Sequence, residues 1–191
     1  MNKKIRWITE TAVMLALLIT LQWMGSLIPE KTTKQLVTGS LVNCVLAVTV
    51  LVAGRNSGIA VALISPIFAT LFGIADVPTT VPIIMLGNTA YVLLLNLFLS
   101  KSMKPVWKMP VALIAASVVK FLILYFIGVK LTAGVLFDSL NGQAVAGTPI
   151  MNAGIAKKMT MMFSWVQLAT ALIGGAVALS ITPVLRKARR K

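Results

Sequence analysis

The 191 residues are 58% hydrophobic and 12% charged, with a mean hydropathy of +0.94. No water-soluble globular domain has that balance, so the chain reads as an all-α integral membrane protein. Eighteen Lys and Arg against four acids give a net charge of +14, but these cations punctuate apolar runs. Membrane orientation and contact with anionic lipid account for them, and no nucleic-acid partner is expected.

The first apolar stretch, 8–28, is too long for a signal peptide and lacks a small-residue cleavage site. It carries Ala12 and Ala16, a small-xxx-small pair of the kind that lets two helices approach closely. Further stretches follow at 36–53, 57–74, 82–100, 109–129 and 159–185. Five lie near the roughly 20 residues that span a bilayer and the last is longer, so six transmembrane helices are expected in one domain. Ser65-Pro66 predicts a kink in the third. The connection 131–158 is long, with Asn141-Gly142, Gly147 and Pro149, and is expected to fold partly over the outer face.

Twelve Lys and Arg fall on the side of both termini and five on the other, together with Glu30, Asp76 and Asp138. This asymmetry places both termini in the cytoplasm.

The fifth stretch holds the one charge at midplane. Lys120 stands eleven residues from Met109 and ten from Lys130, roughly 15 Å from either end of the helix. Its stem is too short to reach the headgroups, so it must face protein or trapped water. Helix direction also sets the depth of the other polar residues. Asn43, Asn88 and Gln167 lie roughly 9–12 Å below the outer surface, with Tyr91 slightly deeper and Trp165 and Tyr125 at or above that layer. A few convergent hydrogen-bonding groups and aromatic faces in an apolar wall suit a solute pocket. For any one Asn or Gln, interhelical bonding is the commoner role, and the shared depth with Lys120 is what points to a pocket. A buried ammonium would favour an anionic ligand.

Several chemistries are absent from the sequence. There is no histidine, no Walker-type loop, and one cysteine, Cys44, which reads as a small buried hydrophobe. Only Glu10 among the acids falls within an apolar run, so ion-coupled transport lacks its usual carboxylate. No cofactor or metal is implied and no catalytic residues are expected. A solute concentrated by this protein would draw its energy from a partner.

Several segments together resemble the substrate-binding (S) components of energy-coupling factor (ECF) transporters, a prokaryotic vitamin-uptake family. They are Ala12-Val13-Met14-Leu15-Ala16, Gly39-Ser40-Leu41-Val42-Asn43, Gly58-Ile59-Ala60-Val61-Ala62, Ser65-Pro66, and Gln167 through Gly174-Gly175. The resemblance spans nearly the whole chain. It implies a bacterial plasma-membrane complex with a membrane coupling (T) subunit, contacted by the first-helix alanines, and two cytosolic ATPase subunits. It also implies an outer-half pocket for a small-molecule substrate, covered by the first and third loops. A stand-alone secondary carrier is the alternative within transport. A membrane enzyme of lipid metabolism would need clustered acids, His or metal ligands that the chain does not supply.

Overall fold

The computed structural model describes residues 2–75, 77–100, 105–145 and 147–189. Asp76, Lys101, Lys104, Arg190 and Lys191, used above in the charge count, lie outside the described residues. The chain is a bundle of apolar helices: α1 (Lys3–Ser26), α2 (Lys31–Val52), α3 (Arg55–Leu71), α4 (Val81–Ser100) and α5 (Pro105–Ile123). A π-wound extension of α5 (Leu124–Val135) follows, then a short turn of helix, α6 (Phe137–Leu140). The hairpin β1 (Ala144–Val145) and β2 (Thr148–Pro149) comes next, then α7 (Ala153–Met162) and α8 (Trp165–Arg189).

Among the described residues five helical runs are long and apolar enough to cross a membrane, which makes this a multi-pass membrane architecture. The apolar α3 has 17 residues, about 26 Å at 1.5 Å per residue, against a hydrocarbon core of about 30 Å. The four tryptophans, Trp7, Trp23, Trp107 and Trp165, are all exposed and stand near helix ends. Trp7 and Trp23 sit 16 residues apart on one helix, about 24 Å, a spacing expected of two interfacial belts.

The packing is organised by α2. It touches α1, α3 and α4 and lies longest against α8. Half of its apolar window is buried, against 17% for α1 at the edge of the bundle. Glycines set the closeness of the α2–α8 seam. A Cβ on Gly174 would sit 2.3 Å from the Ser40 carbonyl oxygen and 2.8 Å from the Asn43 Cβ, so only glycine lets the backbones meet there. Gly39 faces Thr170 across the same seam. At the other end of α2, Gly54 takes φ +92°, a left-handed conformation that turns the chain directly into α3.

Two expected boundaries are corrected. The segment 131–158 is not a loop: the fifth helix runs on to Val135, and α6, the hairpin and the start of α7 occupy the remainder. Lys130 reads as the end of the fifth helix, which hid the change from α to π winding, visible in the Leu136 N–H bond to the Leu131 carbonyl, five residues back. The stretch 159–185 is likewise two helices, broken at Phe163-Ser164. Phe163 turns inward there, fully buried, and its ring fills the slot left by the missing side chain of Gly128 on the π-wound segment. With Ile83, Leu124, Met151 and Met159 it forms a second apolar cluster, separate from the main core of α2, α3, α4, α5 and α8. This cluster caps the end of the bundle where α1 hands over to α2.

The start of α2 lies under that cap. The Glu30 carboxylate accepts hydrogen bonds from the backbone N–H groups of Thr32 (2.8 Å) and Thr33, satisfying two otherwise unpaired donors. The bonds from the Thr33 side chain and backbone, then from Thr32, hold its pKa down at about 2.

Candidate functional site

Lys120 reaches from α5 towards α2, 2% exposed, and its ammonium donates to Asn43 Oδ1 at 2.5 Å. Asn43 is fixed for this role. Its Nδ2 donates to the Gly39 carbonyl oxygen at 2.8 Å and to Thr170 Oγ1 at 3.4 Å, which leaves Oδ1 turned towards the lysine. The Tyr91 ring lies against the ammonium, 5.6 Å from nitrogen to ring centroid, and is itself fully buried. Lys120 therefore meets neutral partners: one amide oxygen and one aromatic face. An ammonium has three N–H donors, and Asn43 uses one.

Lys120 and Asn43 open onto a cavity of about 70 Å³ that Asn88, Gln167, Gln22, Thr38 and Ser65 also line. At about 30 Å³ per water in the liquid, that is room for about two waters. Gln22 projects from the last turns of α1, and its Nε2 donates to the Ser65 carbonyl oxygen (3.2 Å) and to Ser65 Oγ (3.3 Å). Those bonds fix the amide's orientation and direct Oε1 elsewhere. Thr38 lies where α1 comes closest, since a Cβ on Gly25 would stand 2.1 Å from Thr38 Oγ1.

Above it lies a wider cavity of about 520 Å³ under the cap, bordered by Pro29 and Gly73, the basic residues Lys31, Lys34 and Lys158, and Trp165. Gln35, Ile74 and Met162 belong to the walls of both cavities. Gln35 Nε2 donates to the Met162 carbonyl oxygen at 2.8 Å, which ties the first turns of α2 to the break before α8 along the partition.

Of the residues singled out from the sequence, Lys120, Asn43, Asn88 and Gln167 share the inner cavity, and Tyr91 packs against Lys120. Trp165 does not join them. It is 65% exposed and borders the outer cavity. Tyr125 lines neither cavity: it stacks between Phe121 (5.8 Å) and Phe126 (5.7 Å), with the Lys130 ammonium 5.8 Å from its ring. Depth along a helix does not give a residue's direction around it, and neither aromatic reaches the inner cavity. Gln22, Thr38 and Gln35 went unread for the same reason. A polar residue near the end of an apolar helix carries a signal, but not the face on which it falls.

Ala12 and Ala16 lie exposed on the surface of α1, so this pair is not used in packing within the chain. Among the described residues no group of His, Cys, Asp or Glu could hold a metal ion. No protein family, curated protein or solved structure matches the chain.

Proposed function

We propose that the protein is the substrate-binding component of an ECF-type importer in a bacterial plasma membrane, with six spanning helices and both termini in the cytoplasm. It captures a small micronutrient, a vitamin or precursor, whose electronegative or anionic group meets Lys120. Import is completed with a membrane coupling subunit and two cytosolic ATPase subunits. The observation that carries this reading is a largely apolar cavity studded with Lys120, Asn43, Asn88 and Gln167, at one end of an apolar bundle and beside a wider cavity, the vestibule, rimmed by lysines. A solute entering there meets Lys31, Lys34 and Lys158 first, passes the partition held by Gln35 and Met162, and exchanges its water for Lys120, Asn88 and Gln167. Because Lys120 is held by neutral groups, a ligand acceptor adds to its bonding rather than displacing a counter-ion.

Support for a partner comes from α1, whose exposed face carries two alanines within an apolar surface that includes Val13 and Leu17. Small side chains there let a second helix approach closely. Replacing Ala12 and Ala16 together with Trp is expected to abolish uptake and co-purification with the coupling subunit while leaving solute binding intact. Normal assembly by the double variant, or solute accumulation by the single chain in liposomes lacking ATPase subunits, would overturn the reading.

A further inference from the structure

Seven buried side-chain oxygens among the described residues have no hydrogen-bond partner, and three of them belong to residues that line the inner cavity. These three are Gln22 Oε1, Thr38 Oγ1 and Asn88 Oδ1, from side chains that are each 1% exposed. Burying a polar atom without a partner costs about 1–3 kcal/mol, so three around one cavity is a costly arrangement for a merely structural cluster. Two of the three are amide oxygens, which only accept, and the third is a hydroxyl, which can do either. Lys120 lines the same cavity, only donates, and has spent one N–H on Asn43.

We propose that the inner cavity recognises a head group carrying an N–H or O–H donor beside a carbonyl acceptor, of the amide, imide or lactam type, and discriminates against a bare carboxylate. The proposal deepens the transport reading and rests on it for the assumption that a solute enters this cavity. The carbonyl of such a head accepts from Lys120 while an N–H donates to Gln22 or Asn88, a primary amide having enough donors to reach both. A carboxylate satisfies Lys120 equally well but leaves both amide oxygens unpaired, and it brings lone pairs up against them. The discrimination therefore arises from unpaired acceptors rather than from net charge, in the way that sites built around a polar partner reject analogues lacking it.

The test is a thermal-shift and calorimetric titration of the single purified chain with matched probes. These are 2-pyrrolidinone, glutarimide and benzamide, set against butyrate, glutarate and benzoate. The amide-type member of each pair is expected to bind about tenfold more tightly, the equivalent of one unpaired acceptor. Equal or tighter binding by the carboxylates, or no binding by any amide-type probe, overturns the proposal. A second measurement uses Thr38→Val and Asn88→Leu. Neither is expected to lower the melting temperature of the probe-free protein by loss of the unpartnered oxygen, and each is expected to weaken glutarimide binding about three- to tenfold. A melting temperature that falls while glutarimide binding stays unchanged assigns these atoms to structure and overturns the proposal. Because the titrations need no other subunit, they can fail while assembly succeeds, and the reverse.

Discussion

The two cavities share a wall yet use polar chemistry in opposite ways. In the vestibule the lysines stand on the rim, where water and salt screen them, and no single one commits the site to a ligand. In the inner cavity one cation and a handful of amides and hydroxyls are removed from water, and each atom left without a partner carries a cost. The difference teaches where selectivity sits. On the proposed transport reading, the vestibule gathers solutes of many shapes, whereas the inner cavity accepts only those that complete its bonding.

The comparison breaks most sharply at Lys120. Lys120→Met keeps most of the stem volume and removes the charge from a group bonded to Asn43 at 2.5 Å. Solute affinity, measured by calorimetry, is expected to fall roughly ten- to a hundredfold, since a hydrogen bond to a charged group contributes about 1.5–3 kcal/mol. An unchanged affinity would make the lysine a structural pin. Removing a vestibule lysine, by contrast, should alter the salt dependence of capture far more than its equilibrium.

A smaller effect is expected one layer further back, at the seam that holds Asn43. Gly174→Leu drives a side chain into the Ser40 carbonyl and the Asn43 Cβ, so α8 must move away from α2. Overpacking of this kind costs about 1–3 kcal/mol. The melting temperature in detergent should fall and solute binding should weaken with it, because Asn43 no longer presents Oδ1 to Lys120. Lost binding with an unchanged melting temperature would show that the glycine acts on the ligand rather than on the seam.

How much of this was legible in the sequence follows from what a sequence encodes along a helix. Apolar length gave the helices, and counting inward from their ends brought Asn43, Asn88, Gln167 and Lys120 to one depth, where the fold gathers them around one cavity. Rotation about each helix axis was not legible, since the apolar residues of α1, α2, α8 and the long α5 run are spread around each helix and mark no single inward face. That is why Trp165 and Tyr125 were assigned inward and Gln22 and Thr38 were passed over. The π winding of Leu124–Val135 escaped because Lys130 reads as the end of the fifth helix, and the break at Phe163-Ser164 because it lies inside a mostly apolar run; the two meet where Gly128 receives Phe163, a contact between residues 35 apart.

The smallest effect should come from the vestibule rim itself. Glu30 caps the helix whose first turns bring Lys31, Lys34 and Gln35 to the vestibule wall. Its pKa is lowered from 4.5 to about 2, so the cap contributes stability that is fully present above pH 4.5 and is lost as pH falls through about 2. Hydrogen exchange at the Thr32 and Thr33 amides should rise across that window in the native protein. Glu30→Gln should remove this pH dependence while leaving the inner cavity unchanged. Acid-induced loss of Lys120-dependent binding in step with those amides would mean that the two cavities are more tightly coupled than their shared wall suggests.

The 17 residues of α3 and the spacing of Trp7 and Trp23 carry a consequence for the surrounding lipid. Both describe a hydrophobic belt of about 24–26 Å, several ångströms thinner than a typical hydrocarbon core. Tilting relieves a helix that is too long but makes one that is too short span even less, so on the proposed six-helix topology α3 gains nothing by tilting. That topology requires the bilayer to thin around α3, flanking residues to snorkel, or neighbours to associate there, at a cost of fractions of a kcal/mol per ångström of mismatch. On the proposed topology the protein is then drawn towards thin lipid and towards neighbours whose belts are equally short.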